Sequence, residues 1–176
     1  MSNLFAWASQ SENGSINGKV GDQTGREVKV GTYYYFGQTK CIRCTNISKR
    51  RIAGKVAKLF AEDNCVGYSQ NDARNNNGLF KACKAYNWNY EKIKNAVKNK
   101  TFPKCNTDCS GLITVCYNVA YGGEIIPACT TTATMHHYLC ENYPKRFKEI
   151  PISKMLKSTK KGDMPYVPGK HVIINV

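Results

Sequence analysis

The segment from Asp108 to Ala120 constrains this chain most. Asp108-Cys109-Ser110-Gly111 opens onto Leu112, Ile113, Val115, Cys116, Val119 and Ala120, and Gly122-Gly123 closes the run. Apolar residues at this spacing cover most sides of a helix rather than one stripe, so other elements must pack around it. A helix buried in this way needs a layered domain, and 176 residues suffice for one domain with its own core. Hydrophobic residues at 41% and charged residues at 22% exclude collagen-like, coiled-coil and wholly disordered chains. No apolar run approaches the ~20 residues of a membrane helix. The polar start from Met1 to Gly14 lacks the pattern of a signal peptide. The expectation is a single domain over 1–176, with no separate wall-binding or linker region, made and kept in a cytoplasm.

Around that helix the texture is mixed. Residues 1–26 are rich in Gly, Asn and Ser and read as loop, and Glu27 to Tyr35 reads as a strand. Ser48 is a candidate cap for a helix to about Asp63, with Ile52, Ala53, Val56, Leu59 and Phe60 on one side. Asn64 to Asn77 is polar. Helices follow near Leu79 to Tyr86 and after Asn89, the second ended by Pro103, and another is expected from Thr131 to Tyr143. The tail turns to short β-prone pieces at Phe147 to Ile150, Met164 to Val167 and His171 to Val176, with turns at Gly162-Asp163 and Pro168-Gly169. Helices first and strands last indicate an α+β fold.

Charge and cysteines narrow the partners. Lys plus Arg is 26 against 12 Asp plus Glu, a net +14 that favours polyanions such as nucleic acid, an acidic membrane surface or a bacterial wall. None of the nucleic-acid-binding motifs is present, so nucleic acid is not the expected partner. The nine cysteines are an odd number, and without a signal peptide reduced thiols are expected. Cys41-x-x-Cys44 with His137-x-x-Cys140 has zinc-like spacing, but no other feature supports a metal, and none is expected.

Two positions carry chemistry. Cys109 stands where a helix N-terminus lowers a thiol pKa and offers N–H groups to a developing oxyanion, as a nucleophile requires. A loop cysteine beside a capping Asp108 fits the tetrapeptide equally. His171 begins Val172-Ile173-Ile174 directly after the Pro168-Gly169 turn, a rigid place for a base that must meet a thiol. His136 and His137 are adjacent on an expected helix and point apart, as solvent-facing or packing residues do.

The order Gly67-Tyr68, Asp108-Cys109-Ser110-Gly111-Leu112, Gly162-Asp163-Met164 and Gly169-Lys170-His171-Val172 resembles the NlpC-type cell-wall cysteine peptidases. More narrowly, Glu12-Asn13-Gly14, the stretch Gly21-Asp22-Gln23-Thr24-Gly25-Arg26-Glu27-Val28, and Gly67-Tyr68-Ser69-Gln70 are similar to endolysins of phages that infect Gram-positive gut bacteria. The resemblance implies a papain-like core, helices on a small antiparallel sheet, with Cys109 at a helix start facing His171. It implies a Cys-His hydrolase of peptidoglycan stem peptides, needing no cofactor, acting as a monomer on the wall after release from the host. Cys109 would attack the carbonyl, His171 would shuttle the proton, and Tyr68, Asp108 and Ser110 would support substrate or main chain.

Two departures stand out. Lys170 is inserted in the family's Gly-His-Val motif, and only Val172 to Val176 follow His171, so no strand is expected to supply the usual orienting residue. Asp22 or Gln23 is the proposed substitute, against the plainer reading of that run as a turn in which Asp22 bonds its own backbone. The +14 charge could replace a wall-binding domain by attracting anionic wall polymers. The competing readings are an N-acetylmuramoyl-L-alanine amidase on the same pair, a secreted toxin with the same chemistry, and a non-enzymatic basic binding module.

Overall fold

The computed structural model describes residues 3–73, 75 and 78–176. Met1 and Ser2 of the expected N-terminal loop, and Arg74, Asn76 and Asn77 of the expected polar segment, lie outside them. The fold is α+β. The helix at its centre, α4 (Cys109–Tyr121), is buried at every position from Cys109 to Ala120. Burying each large aliphatic side chain such as Leu112 or Ile113 contributes roughly 1.5–3 kcal/mol. Gly122 ends the helix in the left-handed region at φ 72°, which glycine adopts without steric cost.

The layer around α4 comes from both ends of the chain. α1 (Ile47–Ala61) and α2 (Leu79–Ala85) pack on it, as do strands β1 (Leu4–Ala8), β5 (Cys105–Thr107) and β8 (His171–Val172). A third helix, α3 (Tyr90–Lys98), packs on α1 and starts at the expected cap, Asn89, whose side chain accepts from Lys92 N. It stops at Asn99, ahead of Pro103. The cap of α1 is Asn46, not Ser48: its side chain accepts from Lys49 N and so starts the helix earlier.

Strands are not confined to the tail. β1, read from sequence as loop, is the middle strand of a sheet ordered β2-β1-β9, where β2 is Val28–Thr32 and β9 is Ile174–Asn175. Its alternation is concealed because both faces are buried. Ala6 and Ala8 face the helices, and Phe5 and Trp7 enter a second apolar cluster with Ile173 and the rings of Tyr33, Tyr34 and Phe36. A second sheet, ordered β6-β3-β7-β8, joins β3 (Lys40–Cys44) to β6 (Phe147–Pro151) and β7 (Met164–Val167). β4 (Val66–Tyr68) pairs in parallel with β5. A short helix, α5 (Ile152–Lys157), follows β6.

The helix expected over Thr131 to Tyr143 is reduced to a π-helical turn, His137–Glu141. Ahead of it the Thr131 and Thr134 side chains bond local backbone, which competes with helical hydrogen bonding.

Two of the motifs are structural. Asp163, fully buried, takes a bidentate pair from Arg43 at 2.7 and 2.6 Å and also accepts from Lys160 N at 2.8 Å. Gly162 has φ 84°, and a Cβ there would stand 2.5 Å from Arg50 O. Tyr117 of α4 donates to Gly162 O at 2.7 Å. The Gly-Asp motif therefore fixes the β7 end of the sheet to α4. Gly67 has a similar reason: a Cβ would come within 2.4 Å of Gly21 O.

Candidate active site

Cys109 is the first residue of α4. Asp108 caps the helix, accepting from Gly111 N and from Ser110 Oγ at 2.9 Å. Gly111 leaves room for that cap, since a Cβ would meet Thr107 Oγ1 at 2.8 Å. The tetrapeptide thus makes a tightly turned helix start, and Asp108 and Ser110 hold each other within it.

The sulfur is nearly enclosed. Backbone N–H groups of Val172, Ser110 and Cys109 itself point to it and favour a thiolate. Burial outweighs them, with the Asp108 charge acting in the same direction, and the thiol is pushed up to about 12. This reverses the direction expected from the helix N-terminus alone: desolvation is the larger effect here.

His171 reaches the site through β8, a two-residue strand held on β7 in the register Tyr166↔Val172 and Val167↔His171. Gly169, at φ 72°, makes the turn before it, closed by Lys170 N donating to Val167 O at 3.0 Å. Val172, the residue after His171, turns its backbone N–H to the Cys109 sulfur. Burial lowers the His171 pKa to about 4, so the ring is neutral near pH 7. Its Nε2 is buried and has no hydrogen-bond partner among the described residues. Aromatic packing holds the ring instead: Phe36 meets it edge-on at 5.1 Å between centroids, and Tyr34 lies at 6.5 Å. The Tyr34 hydroxyl is pushed up to about 12, first by burial and then by the neighbouring Cys109.

Two clefts adjoin here. One, about 460 Å³, opens on Cys109 between Gln70, Asn71, Thr131 and Thr132. The other, about 660 Å³, passes His171 between Trp7, Lys29, Tyr34 and Phe36. Gln70 and Lys170 line both. Tyr68 lines the second; its hydroxyl accepts from Gln70 Nε2 at 3.1 Å, and its backbone N–H donates to the buried Glu27 carboxylate at 2.9 Å.

Asp22 and Gln23 are elsewhere. Asp22 accepts from the backbone N–H groups of Thr24, Gly25 and Glu27, the turn role, and lines a separate cavity of about 340 Å³ with Asp63 and Lys100. Gln23 donates to Val20 O and Gly21 O. Neither hydrogen-bonds His171, so the orienting role expected of them has no contact to carry it. A strand does follow His171, contrary to expectation, but its Asn175 is turned to Leu4 O at 2.9 Å.

His136 and His137 both bond Glu141, at 3.1 and 2.8 Å, on the surface. Cys41 and Cys44 lie three apart on a strand and enter opposite apolar clusters, so they cannot face one ion. All nine cysteines are free thiols, and seven of them are buried. The sequence reading missed Tyr34 and Phe36; the run Tyr33-Tyr34-Tyr35-Phe36 was their signal.

Fold and site together define an α+β domain with a cysteine at a helix start and a histidine on an adjoining strand, at the junction of two clefts. A family model described as endolysin-like domain matches residues 5–176, and the chain belongs to that family. Membership points to a lytic function at the bacterial cell wall, with peptidoglycan as substrate. No curated protein and no solved structure matches the chain. Among the described residues no helix is long and apolar enough to cross a membrane.

Proposed function

We propose that the chain is a single catalytic domain of NlpC type, with a papain-like arrangement, that hydrolyses a stem-peptide bond of peptidoglycan by a Cys109–His171 mechanism. The observation that carries this reading is the enclosed Cys109 sulfur at a helix N-terminus, contacted by the backbone N–H of Val172, whose chain neighbour His171 is a neutral imidazole with a buried Nε2 that lacks a partner among the described residues. An unpaired imidazole nitrogen is a proton acceptor in waiting.

In the resting site both groups are neutral, so thiol deprotonation accompanies attack. Cys109 Sγ bonds to the carbonyl carbon while its proton passes to His171. The tetrahedral oxyanion takes hydrogen bonds from the helix-start N–H groups, including that of Cys109. Collapse breaks the C–N bond, and His171 returns the proton to the leaving amine. Water, deprotonated by His171, then hydrolyses the thioester and regenerates the thiol. Tyr68 and Gln70 shape the cleft, and Asp108 and Ser110 hold the nucleophile's turn. The enzyme acts as a monomer, reaches the wall from the host cytoplasm after release, and is drawn to anionic wall polymers by its charge. A phage endolysin acting on Gram-positive gut bacteria fits this reading.

Digestion of purified wall with the protein and with Cys109→Ala, followed by mass spectrometry of new amino termini, tests it. New termini inside the stem peptide are expected from the wild type alone. Release of whole stems from sugar would make it an N-acetylmuramoyl-L-alanine amidase on the same pair. Equal digestion by the Cys109→Ala protein would remove the thiol mechanism.

A further inference from the structure

The two clefts differ in charge and in build. Asp108 lines the Cys109 cleft, whereas among the described residues no carboxylate lines the groove that passes His171. That groove carries Lys29 at one end and Lys170 beside the histidine. Neither lysine has a carboxylate partner among the described residues. Between them runs a ladder of rings, with centroids 5.1 Å apart from Trp7 to Tyr34, 5.3 Å from Tyr34 to Phe36 and 5.1 Å from Phe36 to His171. Gly31 makes room for the first rung, since a Cβ there would stand 2.5 Å from the Trp7 ring. Lys29 Nζ lies 5.6 Å from the Trp7 centroid.

The chemistry assigns direction to this groove. The imidazole gives its proton to the leaving amine, so the amine-bearing half of a substrate lies on the imidazole's side of the cleft. The amine-side fragment of a short peptide ends in a carboxylate, and ammonium groups hold carboxylates through charge-assisted hydrogen bonds.

We propose that the groove from His171 to Lys29 is the leaving-fragment subsite, built for a short peptide with a free C-terminal carboxylate. Its side chains lie on the Trp7–Tyr34–Phe36 ladder, and its carboxylate pairs with the Lys29 ammonium at the far end of the groove. This rests on the Cys109–His171 hydrolase reading.

The test uses the Cys109→Ala protein and one synthetic stem peptide made as free acid and as C-terminal amide. Binding is followed by the Trp7 indole N–H signal in NMR, assigned with Trp7→Phe. The acid should bind about 10-fold more tightly than the amide, the size of one charge-assisted contact. Lys29→Gln should bring the two affinities together by weakening the acid. Equal affinities, no Trp7 response to either peptide, or an acid preference that survives Lys29→Gln would overturn the subsite. Wild-type hydrolysis of both peptides is read in parallel. If a peptide bound with acid preference is not cut, the hydrolase reading fails while the subsite's ligand stands. If acid and amide are cut with equal kcat/KM, the hydrolase stands and the subsite fails.

Discussion

Cys109 is held by its neighbours in sequence, whereas His171 is held by residues far from it. Asp108, Ser110 and Gly111 build the turn that presents the thiol, and the buried α4 fixes it. His171 sits on a two-residue strand and is wedged by Tyr34 and Phe36 from the other half of the chain. Local chemistry secures the proposed nucleophile and tertiary packing secures the proposed base. Substitutions should separate the two.

Removing the sulfur has the largest effect. Cys109→Ala should lower wall hydrolysis by on the order of 10³-fold or more. It should cost only about 1 kcal/mol of stability, because one buried atom is lost while the cap stays intact. Turbidity clearing and a thermal melt check both; near-normal clearing by the folded variant would end the thiol reading.

His171→Ala comes next, with a loss on the order of 10²–10⁴-fold. His136→Ala/His137→Ala should keep activity, because both rings bond Glu141 on the surface. The reverse result would assign the base to the wrong histidine.

The third experiment probes the packing directly. Burial is the cause of the low His171 pKa, and Phe36 supplies part of that burial. The acid limb of kcat/KM should therefore lie near pH 4 in the wild type. Phe36→Ala should move it up toward the ordinary value of 6.5 and lower kcat by roughly 10-fold. Phe36 is a positioning residue, and an unmoved limb would refute that role. The same shift has a stability consequence. The folded pKa lies below the unfolded one, so the unfolded chain binds the extra proton between the two values. Stability should fall as pH drops from 6.5 to about 4 and gain no further loss from this group below that, and His171→Gln should remove this component.

The same contrast explains what the sequence made legible. α4, its Asp108 cap and its Gly122 stop could be read because one uninterrupted segment holds the whole signal. The Asn89 cap of α3 was equally local. β1 was not legible, because Phe5 and Trp7 bury on one face and Ala6 and Ala8 on the other, leaving no polar alternation to read. β3 has the same pattern, with Cys41 on one side and Ile42 and Cys44 on the other. Cys109 and His171 were singled out as candidates from their motifs. The rings around His171 were not, because a contact between residues 36 and 171 leaves no trace in either neighbourhood. The Asp22 turn shows the opposite failure: a polar run beside a strand suggested a partner for His171, and local backbone donors took the carboxylate instead.

The smallest expected effect concerns charge. Part of the +14 surplus lies on a ledge where Lys49 and Arg146 stand 5.4 and 5.1 Å from the Tyr121 ring, with Arg146 also 5.0 Å from Tyr143. Other clustered lysines are locally engaged, Lys94 by Glu91 and Lys100 by Asp63. Attraction to an anionic wall acts through solvent and is screened over ~8 Å at physiological ionic strength and ~3 Å at 1 M. Sedimentation with purified wall should show retention falling several-fold between low salt and ~1 M. Cleavage of a soluble amide-terminated peptide should change far less, because bond breaking occurs inside a buried site where ions do not reach. Wall retention that stays flat with salt would mean that the charge serves solubility. A parallel fall in both measurements would place the salt effect in the cleft, and the lysines of the His171 groove would then be the first to substitute.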